Sequence, residues 1–193
     1  MSAERIDLLA ITPQAWKNGT GLTREIAFGG ARSAGFDWRI SLAEVARNAP
    51  FSAFPGIDRC IVLLRGAGMR LRSGDGAIDH ALTTPLTPFA FPGDAALDAT
   101  LVAGPCSDFN VMTRRGVFRS ELRCEHSASS VESGDVTLLL CASGTWQIAG
   151  DDDFTLAPMH ALLWRTPTAP LRIQPLDGAG ALLVVRLCHD RQP

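Results

Sequence analysis

No stretch of this 193-residue chain approaches the ~20 consecutive apolar residues of a membrane-spanning helix, so no membrane partner is expected. The start, Met1 to Arg5, has no basic run leading into a long apolar one and no cleavage site, which points to a soluble, cytoplasmic protein. A basic surplus is also missing. Eighteen Lys and Arg stand against 20 Asp and Glu, a net charge of -2, the wrong balance for a protein whose main partner is nucleic acid. The one basic concentration, Arg114, Arg115, Arg119 and Arg123, reads as a solvated strand face. The five cysteines, Cys60, Cys106, Cys124, Cys141 and Cys188, include no Cys-x-x-Cys pair and are odd in number, which reads as reduced, buried thiols. Cys106, which sits closest to the polar segments, has no neighbouring histidine to activate it, and no serine elbow is present.

Sustained helical periodicity is nearly absent as well. Short runs of period-two alternation recur instead, separated by Gly, Pro, Asp and Ser clusters, and this predicts an all-β chain. Strands are expected near 6–11, 22–28, 36–45, 59–65, 67–72, 86–91, 97–102, 107–114, 117–123, 136–142, 144–148, 154–157, 160–165, 170–175 and 181–188. A short helical turn is expected after Thr12-Pro13, where Thr suits a cap and Pro the first helical position. A hydrophobic fraction of 46% is enough for a sizeable core. One internal repeat is visible: the run from Ile61 to Leu71 matches that from Thr137 to Gln147, an apolar strand entering a small-residue turn and then a second strand. Gly66, Gly68 and Gly144 suit turns that need positive φ. A Pro-bearing corner follows each copy, at Phe91-Pro92-Gly93-Asp94 and at Leu156-Ala157-Pro158. That rhythm predicts two stacked jelly-roll barrels in one compact unit, with halves at about 1–116 and 117–193.

Against this apolar background four segments stand out. They are Trp16 to Glu25, Phe36 to Ser41, Phe54 to Arg59, and Asp108 to Met112. Each sets charges or amides between large apolar residues, a costly arrangement for a plain core strand unless every charge is paired. The stretch from Trp16 to Glu25 has glycines, but it lacks the Gly-Lys-Ser/Thr ending and helix start of a phosphate loop. Strand alternation puts Asp108, Asn110 and Met112 on one side and Phe109 and Val111 on the other. It likewise sets Asp37, Arg39 and Ser41 opposite Trp38 and Ile40, and Arg59 opposite Asp58.

Taken in order, these blocks resemble the HutD/Ves family of bacterial double-cupin proteins. The matching residues are Trp16-Lys17-Asn18-Gly19 with Thr23-Arg24-Glu25-Ile26; Phe36-Asp37-Trp38-Arg39-Ile40-Ser41; Phe51 to Gly56 with Asp58-Arg59; Pro88 to Phe91 with Gly93-Asp94; and Gly104-Pro105 with Asp108 to Met112 and Arg114-Arg115-Gly116. The family usually carries a run of glycines after Trp-Lys-Asn, and Thr20 interrupts it here. The resemblance implies a double-stranded β-helix repeated twice. It also implies a link to histidine utilisation or stress response, as a modulator that binds a small acidic intermediate.

Many cupins hold a metal through two histidines one residue apart, then a glutamate. Counting back from Gly66 puts Arg59 in the glutamate's place, and an arginine cannot ligate a cation. His80, His126, His160 and His189 are scattered, and Asp151-Asp152-Asp153 reads as a solvated hairpin tip, so no metal or other cofactor is expected. The candidate ligand-binding residues are Lys17, Asn18, Arg24, Arg39, Arg59, Asp108 and Asn110. The cations suit a carboxylate and the asparagines suit an amide or formyl group, so the expected ligand is a small acidic metabolite resembling formyl- or formimino-glutamate. Two other classes stay open at this stage. One is a metal-free enzyme using Glu25 or Asp108 as acid or base; the other is an assembly protein using the apolar run 179–185. A homodimer is compatible with all three.

Overall fold

The computed structural model describes residues 3–16, 18–31, 33 and 35–190. Among them are nineteen strands and no α-helix: β1 (Glu4–Asp7), β2 (Gln14–Ala15), β3 (Gly21–Gly29), β4 (Trp38–Val45), β5 (Ala49–Phe51), β6 (Ile57–Arg65), β7 (Met69–Ser73), β8 (Asp79–Leu82), β9 (Phe89–Pro92), β10 (Leu97–Leu101), β11 (Cys106–Arg114), β12 (Phe118–Glu125), β13 (Ser129–Val131), β14 (Val136–Ser143), β15 (Trp146–Ala149), β16 (Asp153–Leu156), β17 (His160–Trp164), β18 (Leu171–Pro175) and β19 (Ala181–His189). The helical turn expected after Thr12-Pro13 does not form. Gln14 and Ala15 pair instead with Thr23 and Leu22, which satisfies their backbone groups across a hairpin.

The chain divides into two compact units, residues 11–118 and residues 119–190 together with the first ten. Within the unit of 11–118, a six-stranded sheet of order β2-β3-β4-β11-β6-β9 faces a four-stranded sheet of order β5-β10-β7-β8. In the other unit the orders are β1-β17-β14-β19-β12 and β13-β18-β15-β16. The repeat is therefore complete at the level of topology. Strands β4 to β11 and β12 to β19 occupy the same eight places, to which the first unit adds β2 and β3, and the second adds β1. The N-terminal strand departs from the expected halves, because Glu4 to Asp7 pair with Leu163 to His160 of β17.

Each unit is a two-layer sandwich, as in a jelly roll, and its sheets do not close into a barrel. Hydrogen bonding stops at the sheet edges, and large aliphatic side chains from both layers fill the space between. Ile61, Leu63, Met69, Leu71, Leu97 and Phe91 form that core in the first unit; Leu139, Trp146, Ile148, Leu162, Ile173 and Val184 form it in the second. Such alternation of inward apolar and outward polar residues is the pattern of stacked antiparallel layers. The repeated turns have the expected backbone, with φ of 90°, 87° and 74° at Gly66, Gly68 and Gly144. A Cβ at Gly68 would also lie 2.0 Å from the Leu82 carbonyl oxygen, so any larger residue there breaks the turn. The apolar run 179–185 lies largely in β19, an interior strand between β14 and β12, with Ala181 to Val185 fully buried. It is core, not an exposed assembly strand.

Candidate functional site

The inner face of the six-stranded sheet changes character along its length. At one end Val45, Ile61, Leu63 and Cys106 join the apolar core. At the other, the same alternation delivers Glu25 from β3, Arg39 and Ser41 from β4, Asn110 and Met112 from β11, and Arg59 from β6. Ladder pairs set them side by side: Glu25 opposite Ser41, Ser41 opposite Asn110, and Met112 opposite both Arg39 and Arg59. These side chains line a cavity of about 390 Å³, completed by Trp16, Asn18, Thr23, Phe51, Ser52 and Phe54. That volume is in the range of small-molecule sites.

Arg59 is the centre of the arrangement. It is buried, donating from Nη1 to the Ser52 carbonyl (3.2 Å) and from Nη2 to Asn110 Oδ1 (2.8 Å). Its guanidinium carbon stands 4.9, 5.5 and 5.0 Å from the ring centres of Phe51, Phe54 and Phe91. Arg39 stands 5.4 Å from Phe36 and 5.6 Å from Phe54, so Phe54 serves both cations. Desolvated cation–π contacts of this kind contribute up to roughly 2 kcal/mol each. Burial lowers the pKa of both arginines, that of Arg59 to about 10, and the nearby Arg39 charge lowers Arg59 further against the opposing pull of Asp108. Two like charges thus share one cavity. The Nε atoms of both are buried without a hydrogen-bond partner among the described residues.

Asp108 is completely buried and does not line the cavity; it sits behind Asn110. The Asn110 Nδ2 donates to Asp108 Oδ1, while Asp108 Oδ2 has no partner among the described residues. Desolvation raises the Asp108 pKa to about 7, against the opposing effects of Arg59 and the Asn110 amide. The chain of contacts fixes the amide of Asn110: its oxygen accepts from a cation and its nitrogen donates to a carboxylate. A flipped amide would oppose like to like at both ends.

The loop before β3 builds the cavity wall. Trp16 donates from Nε1 to Thr23 Oγ1 (2.7 Å) and meets Phe51 edge-on at 6.5 Å. Gly21 is required there, because a Cβ would lie 2.5 Å from the Glu44 carbonyl oxygen and 3.0 Å from the Trp16 ring. Thr20, the residue that interrupts the expected glycines, donates to Asn18 Oδ1 from both its backbone N–H (3.1 Å) and its hydroxyl (2.7 Å). Asn18 is thereby tied down at the cavity rim.

Of the seven residues expected to bind ligand, Asn18, Arg39, Arg59 and Asn110 meet at this cavity, and Asp108 stands one contact behind it. Arg24 points to the opposite face of β3 and pairs with Glu44 of β4. Lys17 lies outside the described residues. The pairing of Arg24 makes a simple prediction: Arg24→Met costs at most ~1 kcal/mol of stability, as partly exposed ion pairs do, and a urea melt checks it. Sequence reasoning missed Phe51 and Phe54 as site residues. Their signal is the block from Phe51 to Gly56, whose rings look like ordinary core until Arg39 and Arg59 are seen against them. Among the described residues no three His, Cys, Asp or Glu side chains cluster as metal ligands. Burial pushes the thiols of Cys60, Cys106, Cys124 and Cys141 up to about 11, far from thiolate nucleophiles at neutral pH.

Two sheets per unit in this strand order, with a polar cavity on the inner face, define a cupin-like protein. A cupin 2 conserved barrel domain protein from Leptotrichia buccalis shares the fold, with a TM-score of 0.61 at 10% identity, covering 96% of this chain and 97% of that one. The chain belongs to the HutD family, whose sequence profile matches residues 10–184. It is similar to a conserved protein of unknown function, PA5104, from Pseudomonas aeruginosa PAO1, at 29% identity and a TM-score of 0.88 over 97% of this chain and all of that one. It is also similar to HutD from Pseudomonas fluorescens SBW25, whose structure was obtained in a formate condition, at 26% identity and a TM-score of 0.86 over 99% and 100% of the two chains.

Proposed function

We propose that this chain is a cytoplasmic, metal-free binding protein for a small acidic metabolite, of the formyl- or formimino-glutamate kind, and that it modulates histidine utilisation or stress response. The observation that carries the reading is the pair Arg39 and Arg59, facing one cavity with Phe54 between them and each with an unpartnered buried Nε. Glu25 and Asp108 each offset part of the charge of Arg39 and Arg59, but both guanidinium groups keep an unused Nε, and a ligand carboxylate matches the guanidinium fork with two parallel hydrogen bonds. Asn18, Ser41 and Asn110 supply neutral donors and acceptors beside them, suited to the amide or formyl end of such a ligand. The HutD name of the Pseudomonas fluorescens relative supports the pathway, and its formate condition is compatible with a carboxylate ligand. Recognition needs no metal, because Arg59 supplies a permanent cation at the place where the cupin motif would put a glutamate ligand.

The enzyme alternative rests on Asp108, whose raised pKa suits proton transfer near neutrality. Its complete burial behind Asn110 opposes that role, which leaves Glu25 as the carboxylate that lines the cavity. The test is calorimetry and thermal denaturation with formyl-glutamate, formimino-glutamate, urocanate and glutamate, with each solution assayed for product afterwards. The expected result is a rise in melting temperature with the formylated or formimino acid and no turnover, since a ligand of the native state raises apparent stability. No heat of binding at millimolar ligand would end the proposal, and product formation would transfer it to the enzyme reading.

A further inference from the structure

Strand β12 has a free edge. It ends the five-stranded sheet beside β19, and among the described residues no strand is hydrogen-bonded to its other side. The contrast with the unit of 11–118 is instructive. There β4 holds the equivalent place, and β3 covers its outer edge through a ladder from Gly21↔Val45 to Gly29↔Trp38. An open strand of this length is a template for another chain unless a proline, a bulge or charges that the partner cannot match blunt it; residues 118–125 contain no proline or glycine, and their charges alternate in sign.

The side chains of β12 alternate in sign. Arg119, Glu121, Arg123 and Glu125 fall on one face, with Ser120, Leu122 and Cys124 on the other. The common face is visible in the contacts: Arg123 reaches Glu121 (2.8 Å) and Glu125 (2.7 Å), and Arg186 of β19 reaches Glu121 (2.6 Å). Arg119 is exposed and has no ion pair among the described residues. We infer that β12 is a self-pairing edge whose partner is β12 of a second copy of this chain, antiparallel about a twofold axis at Leu122.

The charge order selects that register. Centring on Leu122 sets Arg119 opposite Glu125 of the second copy and Glu121 opposite Arg123, so all four cross-strand pairs on that face are of opposite sign. Leu122 then meets its own copy, and Ser120 meets Cys124. Centring on Glu121 sets Glu121 against itself and Arg119 against Arg123; centring on Arg123 sets Arg123 against itself and Glu121 against Glu125. Both are repulsive, and a shift by one residue turns every side chain to the wrong face. A twofold interface must be complementary to itself; centring on Ser120 or Cys124 also sets Arg opposite Glu, but in two pairs only, so the Leu122 register matches the most charges.

Sedimentation velocity of the full chain from about 1 to about 100 µM tests the inference. The wild type is expected to pass from monomer to dimer across that range. Arg119→Glu and Glu125→Arg are each expected to weaken association at least tenfold, since each puts like charges at both ends of the paired strands. Combining them, R119E with E125R, restores opposite charges and is expected to restore the dimer. Thermal melts of every variant verify folding, and acid binding by Arg119→Glu is unchanged because β12 is not part of the cavity. A wild type that stays monomeric throughout would overturn the inference, leaving the edge open or reserved for another protein. So would a dimer indifferent to the single changes, or a double variant that stays as weak as they are.

Discussion

Arg59→Met is expected to abolish millimolar acid binding and to lower stability at both pH 5 and pH 8, with a loss larger by up to about 1.4 kcal/mol at pH 8. The asymmetry comes from Asp108. Burial pushes its pKa up, and the Arg59 charge is the larger of the two influences holding it down to about 7. Methionine fills much of the same volume but leaves the carboxylate desolvated and unopposed. The native-state pKa of Asp108 then rises further above its unfolded value of about 4. A carboxyl raised in this direction contributes stability that is fully present below the unfolded pKa and is lost as pH climbs through the native one. Raising the native pKa extends that loss, so the gap between wild type and variant opens above pH 7. At pH 5 Asp108 is protonated in both proteins. The gap there reduces to the bonds to Ser52 and Asn110 and the ring contacts, offset by no longer burying a guanidinium. Urea midpoints at the two pH values separate the terms. Equal losses at both would show that Arg59 and Asp108 are not coupled.

The fold was legible in the sequence to the extent that strands alternate and turns demand glycine. Long strands such as β3, β4, β6, β11 and β19 are visible because each carries several alternations. The short ones, β2, β5, β8 and β13, carry two to four residues each and leave no periodic trace. The membership of β1 was equally hidden, because no local feature of Glu-Arg-Ile-Asp states that its partner is β17, more than 150 residues away. The candidate site was legible in the same uneven way. Alternation correctly grouped Arg39 with Ser41 and Asp108 with Asn110, since a strand's faces are a local property. It could not exclude Arg24, whose outward course depends on pairing with Glu44 twenty residues later. Nor could it show that Phe54 stands against both arginines, a long-range fact of packing.

Asp108→Asn is expected to do the reverse of Arg59→Met, making the protein more stable and a tighter binder at pH 8. In the wild type the stability contributed by Asp108 is present at pH 4 and falls as pH rises to about 7, with a slope approaching roughly 1 kcal/mol per pH unit inside that window. Asparagine removes the ionisation and with it the slope, while its carbonyl oxygen still accepts from the Asn110 amide. Binding follows the same logic. The Asp108 carboxylate and an incoming ligand carboxylate are both drawn to the Arg59 guanidinium, and they repel each other in a medium of low dielectric. The charges that face this point are few: Arg59 from β6, Arg39 from β4, Glu25 from β3, and Asp108 itself from β11. A bound acid therefore raises the proton affinity of Asp108, and the complex takes up a proton above about pH 7. The wild type should bind several-fold more weakly at pH 8 than at pH 6, approaching tenfold per pH unit at the limit of strong coupling. The variant should show no such change and should match at pH 8 the affinity that the wild type reaches at pH 6. Calorimetry in two buffers of different ionisation enthalpy counts the proton directly. A wild type that binds the acid equally at both pH values, without proton uptake, would mean that Asp108 only holds Asn110 in place and leaves the charge of the site to the two arginines.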